Sequence, residues 1–167
     1  MVPKYYESIQ PIGGNSIIVE IDESKFGKRK YHKGHKVDGV WVLGMVERTE
    51  QKWIVLLAID NRTKITLEEK IKKYVQPGST IYTDCWKGYN SLENNEFLHR
   101  TVNHSKEFVN KDDNTHTNTI EGNWCAIELQ VSLKRRNRDL VSLFLVRYTI
   151  LRNENGNLLL NILKHLL

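Results

Sequence analysis

Three apolar, β-branched runs crowd the stretch from residue 16 to residue 60, and they limit the fold more than any other feature. SIIVEIDES (16–24) follows a PIGG turn at 11–14, VDGVWVLGMVE fills 37–47, and WIVLLAID fills 53–60 beyond the polar break 48–52. Each run is short for a helix and rich in residues that suit a pleated chain, so each reads as a strand. Short connections favour antiparallel pairing between them. TLEEKIKKYV (66–75) then spaces Leu67, Ile71 and Tyr74 or Val75 as a helix does, with Glu68 and Glu69 early and Lys72 and Lys73 late, as the helix dipole favours; Pro77-Gly78 ends it. TIYTD (80–84) reads as a fourth strand, 87–97 as a polar helical stretch and RTVNHS (100–105) as a weak strand. From Thr119 onward, Ile120, Trp124, Ile127 and Val131 share one helical face; a further helix over 140–151, a NENGN loop and LLLNILKHLL (158–167) close the chain. This order predicts an α/β fold: a mixed sheet, three antiparallel strands followed by parallel ones, flanked by helices.

Composition narrows the class. The 167 residues suit one domain, and an apolar share of 40% excludes a disordered or collagen-like chain. No repeat or Pro-rich linker divides it, so the expectation is one domain with a lead-in over 1–15. Cys85 and Cys125 are too few for a disulfide scaffold or a four-ligand zinc site, and no apolar run approaches the roughly 20 residues of a bilayer span. MVPKYYESIQ has no apolar signal segment, so the chain is expected inside the cell with no membrane partner. Its net charge of +5 admits a nucleic-acid partner as readily as an ordinary basic domain.

Two acids stand where apolar strands emerge: Asp22 after the first run and Asp84 at the end of the fourth. Ligands of α/β sheets gather at such ends. Glu121 follows the first core-facing residue of the long helix, Ile120, so three carboxylates converge at one edge if these elements pack as expected. Oxygen donors of this kind suit hard divalent cations, and two such ions support phosphoryl transfer. Each acid also has a plainer reading. Asp22 and Asp84 can cap turns, and Glu121 can sit at the third helical position of a capping box whose N-cap is Asn118.

The segments PIGG…VEIDES (11–24), KYHKGH (30–35), WVLGMVER (41–48), IYTDCWKGY (81–89), VNHSKEFVN (102–110) and HTNTIEGNW (116–124) resemble the DDE transposases of the eukaryotic Merlin group and their bacterial ISXO-like insertion-sequence relatives. The resemblance implies an RNase H-like catalytic domain over 16–152, with 153–167 as a C-terminal helix packed on it. It implies two Mg²⁺ (or Mn²⁺) ions held by Asp22, Asp84 and Glu121, with Asn118 the candidate where relatives use Asn, or else a helix cap. The implied activity is phosphodiester cleavage at transposon ends followed by strand transfer into target DNA. DNA is then the partner, a homo-oligomer is allowed, and the compartment is the nucleus in a eukaryote or the cytoplasm in a bacterium. Two departures stand out. Relatives carry a Lys where this chain has Glu128, and they carry an N-terminal zinc-binding or helix-turn-helix segment that nothing before Pro11 can form. The second reading is therefore a domesticated, catalytically impaired module that binds DNA or protein.

The basic residues gather in two places. Lys25, Lys28, Arg29, Lys30, Lys33 and Lys36 follow Asp22, and Lys134, Arg135 and Arg136 lie in KRRNR (134–138) after the long helix; both groups read as phosphate contacts or as solvated turns. His104 and His116 read mainly as hydrogen-bonding residues of a loop or helix start. Cys85 and Cys125 are expected free and buried, and Trp86 and Trp124 are expected as core anchors rather than base-stacking platforms.

Overall fold

The structure, a computed structural model, describes residues 2–26, 39–90, 92, 96–103, 109–110, 115–131 and 137–154. In chain order these form α1 (Val2–Ser8), β1 (Ile12–Gly13), β2 (Ile18–Phe26), β3 (Val40–Glu47), β4 (Ile54–Ile59), α2 (Lys64–Tyr74), β5 (Val75–Gln76), β6 (Thr80–Asp84), a 3₁₀ turn at Lys87–Tyr89, β7 (Leu98–Val102), α3 (Asn118–Gln130) and α4 (Arg138–Asn153). The main sheet has the order β4-β3-β2-β6-β7. β2, β3 and β4 pair antiparallel, while β6 joins β2 and β7 joins β6 in parallel. This is the mixed α/β sheet expected from the strand spacing. A short parallel pair, β1 with β5, lies beside it.

Period-two alternation explains how both faces come to be covered. Val19, Ile21, Leu43, Met45, Val55, Leu57 and Ile81 pack with Leu67, Ile71 and Tyr74 of α2. Their neighbours Val42, Val46, Ile54 and Leu56 turn the other way, onto Ile120, Trp124 and Ile127 of α3 and Val141 and Leu145 of α4. The central strands are apolar on both sides because both sides are roofed. α4 also closes an exposed edge: Asn153 accepts from the Ile54 amide at 2.8 Å and donates to the Ile54 carbonyl at 2.9 Å, as a neighbouring strand would. The expected lead-in is a helix, α1, which buries Tyr5 against Val146 and Ile150 of α4.

Several details differ from the sequence reading. β2 spans Ile18–Phe26, so it begins and ends two residues later than the run read at 16–24. Of the helical stretch read for 87–97, the described residues show 3₁₀ conformation at Lys87–Tyr89 and at Leu92 rather than an α-helix; the Glu96 carbonyl is instead tied to the Gly78 amide at 2.9 Å, and Leu98 enters β7. Cys85 and Cys125 are free, as expected, but exposed. Cys125 follows core-facing Trp124, and one helical step of about 100° turns it to solvent. The segment 158–167 lies outside the described residues.

Candidate functional site

The site is built around β2, where three acids follow within four residues: Glu20, Asp22 and Glu23. Alternation sends Glu20 and Asp22 toward α3 and Glu23 toward the layer of α2. Glu20 is completely buried. Its carboxylate accepts from Arg48 Nε at 2.5 Å, from the Thr119 hydroxyl and amide at 2.8 Å each, and from the Ile120 amide at 3.0 Å. Arg48 in turn donates to the His116 ring at 2.7 Å and its carbonyl at 2.6 Å, with its guanidinium 4.8 Å from the Tyr82 ring centroid. Burial, and then the charge of Arg48, holds His116 below its usual range.

A carboxylate from the sheet thus occupies the N-terminus of α3, where unpaired amides and the helix dipole favour an anion. This corrects the capping-box reading. The N-cap is Thr117, without a side-chain cap bond, and Asn118 is the first helical residue, exposed, its amide 3.4 Å from His116 Nδ1. Glu121 instead accepts from the Thr117 hydroxyl at 2.9 Å.

Asp22 lies two residues beyond Glu20. The parallel ladder with β6 ends at Glu20 opposite Tyr82, and two residues further on each strand come Asp22 and Asp84. Across the antiparallel ladder Asp22 faces Gly44. A Cβ at Gly44 would stand 2.6–2.7 Å from Trp124 and Ile120, so the missing side chain lets both approach the strand closely. From there Trp124 Nε1 donates to Asp22 Oδ2 at 2.9 Å, while its ring meets Phe26 edge-on at 6.0 Å. Asp84 accepts from the Trp86 amide at 2.9 Å, so it does cap the turn that follows β6.

Electrostatics bring these acids together. Burial raises Asp22 above the ordinary carboxylate range; the Trp124 bond and a backbone bond oppose the shift, and the charges of Asp84 and Glu121 add to it. Glu23 is pushed up to about 7, first by burial and further by Asp22 and Asp84, against Tyr89 and Arg62. Its Oε1 and the Tyr89 hydroxyl lie beside each other without a hydrogen bond of ordinary geometry. Carboxylates from β2, β6 and α3 therefore stand in one another's fields, a crowding that a divalent cation relieves. The donors are all oxygen, which fits a hard cation in chemistry. Among the described residues, no three Asp, Glu, His or Cys side chains are closed into a metal-binding cluster.

Lys25 is exposed, its ammonium 5.2 Å from the Trp41 ring centroid. Lys28, Arg29, Lys30, Lys33, Lys36, His104, Lys134, Arg135 and Arg136 lie outside the described residues. Glu128 is exposed on α3. Trp124 is the core anchor expected of it, whereas Trp86 is 37% exposed. Sequence reasoning passed over Glu20, Glu23, Gly44 and Arg62; the available signal was an acid at 20 on the same strand face as the acid at 22. No helix among the described residues is long and apolar enough to cross a membrane.

Residues 11–133 match the model of the ISXO2-like transposase domain. A Haemophilus influenzae protein described as an uncharacterized transposase-like protein is 31% identical over 71 residues, 42% of this chain and 56% of that protein. The matched stretch thus spans about half the length of that relative. No solved structure matches.

Proposed function

The chain belongs to the ISXO2-like transposase family, and on that premise we propose that it is a metal-dependent DNA transposase domain in which Asp22, Asp84 and Glu121 form the catalytic set. The observation that carries this reading is the placement of Asp22, half-buried two residues past the end of the β2–β6 ladder, with Asp84 at the matching point of β6 and Glu121 on α3 both adding to the negative field around it. The strand order, three antiparallel and then two parallel, supports an RNase H-like fold over 16–152. The substrate is DNA, at transposon ends and at the target.

Asp22, Asp84 and Glu121 would hold two Mg²⁺ or Mn²⁺ ions, whose chemistry is to polarise a phosphodiester and offset the charge that builds on it. The chain's own part is to hold its carboxylates still. Trp124 fixes Asp22, the Trp86 amide fixes Asp84, and Thr117 fixes Glu121, while Glu20 ties the start of α3 to the sheet. Each acid sits on a separate regular element or at its end, so their separation is set by packing rather than by loop conformation.

The test is Mg²⁺- or Mn²⁺-dependent nicking of duplex DNA carrying the element's terminal repeats. Asp84→Asn should abolish it, and Asn can still accept from the Trp86 amide, so the loss reports charge rather than a broken turn. Glu121→Gln keeps an acceptor for Thr117 and should also be inactive. Persisting activity removes Glu121 from the set, and no cleavage by the wild type with any metal favours a non-catalytic DNA-binding module.

A further inference from the structure

Beside the acids the chain builds a stack of cations and indoles. The Arg62 guanidinium lies 4.6 Å from the Trp41 ring centroid and 4.1 Å from that of Trp86, so one cation bridges two indoles. Lys25 approaches the same Trp41 ring. Four segments supply the parts: the end of β2, the start of β3, the loop before α2 and the turn after β6.

Trp86 is held from two sides. Its amide donates to Asp84 Oδ1, and the Nε1–Cδ1 edge of its ring presses on Gly88, where an added Cβ would stand 2.7–2.8 Å away. Core packing does not account for the residue, because it belongs to none of the three buried clusters and keeps 37% of its surface exposed. An indole held in place beside a cation, with part of its ring open to water, offers a flat apolar surface to a partner.

We propose that the open surface of Trp86 is a stacking platform for an unpaired base of the DNA strand that reaches the acids. The inference deepens the transposase reading and rests on it. Nucleobases stack on indole rings whatever their sequence, and the cation behind the ring adds attraction for an anionic strand. The acids repel phosphates, so a strand approaches Asp84 only where positive charge offsets them, and Arg62 and Lys25 place that charge on this side. Inside a duplex both faces of a base are covered by its neighbours; the platform therefore selects a base that has left the stack or lies at a frayed end.

The experiment measures binding of the full chain, in EDTA, to a labelled short oligothymidine and to a blunt duplex, by fluorescence anisotropy. Trp86→Ala should weaken single-strand binding by about tenfold and duplex binding by less than about twofold, with Trp86→Phe restoring most of the loss. Trp53→Ala, which removes another exposed indole, should change neither affinity. Equal losses on both probes, no loss on either, or no binding by the wild type overturns the proposal. Because no metal is present, the result separates from the nicking test: cleavage with an unaffected Trp86→Ala variant sinks the platform alone, and selective loss without any cleavage sinks the catalytic reading alone.

Discussion

Glu20 and Asp22 are two residues apart on one strand and face the same helix, yet their surroundings are opposite. Glu20 is sealed in and meets four donors, two of them amides at the start of α3 and one a guanidinium. Asp22 receives one indole N–H and one backbone N–H, and among the described residues the charges that act on it are those of acids. A buried carboxylate says little by itself. Matched by donors, it is a structural fastener; left among like charges, it stores electrostatic free energy that a ligand can release. The boundary between the two states falls where the β2–β6 ladder stops, at Glu20.

The largest effect should therefore come from the quieter acid. Glu20→Ala takes from Arg48 its paired carboxylate, leaving the guanidinium its His116 contacts, and uncaps α3; it should lower unfolding free energy by about 3 kcal/mol, read from the urea midpoint. Asp22→Asn should leave stability unchanged or raise it, because it removes a charge in a crowd while keeping the volume. If Asp22→Asn falls as far as Glu20→Ala, the two acids do not differ in kind and the contrast fails.

Glu23 gives the next effect and a pH window. Its native pKa, about 7, lies above the ordinary 4.5. Between those values the folded state keeps a proton that the unfolded state has released, so stability falls as pH rises through the window. Above it the cost is on the order of 3 kcal/mol. Among the described residues the groups facing the carboxyl are Tyr89, Asp22, Asp84 and Arg62, and of these the last is positive. Glu23→Gln should flatten the stability curve between about pH 4.5 and 7 and exceed wild type above it. Parallel curves for the two proteins would show that Glu23 ionises as freely as in water.

The contrast between the acids also explains what the sequence could disclose. β-Branched runs announce strands because alternation and propensity are local, and β2, β3, β4 and β6 fall close to where those runs lie. Helix α3 was legible from its apolar stripe. Glu20 was not, since its partners lie 28 and 99 or more residues away and an acid inside an apolar run carries no local sign of a mate. The same cause misplaced the N-cap: Asn118 looks like a cap, but with a carboxylate arriving from the sheet the helix needs none from its own chain. Trp86 resembled a core residue because burial of an aromatic depends on what packs over it, which period-counting does not reveal.

The smallest effect probes the side-chain donor that Trp124 offers Asp22. Trp124→Phe keeps an aromatic ring over Gly44 and against Phe26 but removes the N–H that reaches Asp22 Oδ2. That bond favours the ionised carboxyl and holds its pKa down against burial. Its loss should cost about 1 kcal/mol at neutral pH, and the cost should shrink as pH falls through the Asp22 titration, since a protonated acid gains less from a donor. The measurement is the difference in urea stability between variant and wild type at neutral and acidic pH. A difference independent of pH would mean that Trp124 acts on this site only by filling space, and the polarity of the Asp22 pocket would then be set by the neighbouring acids alone.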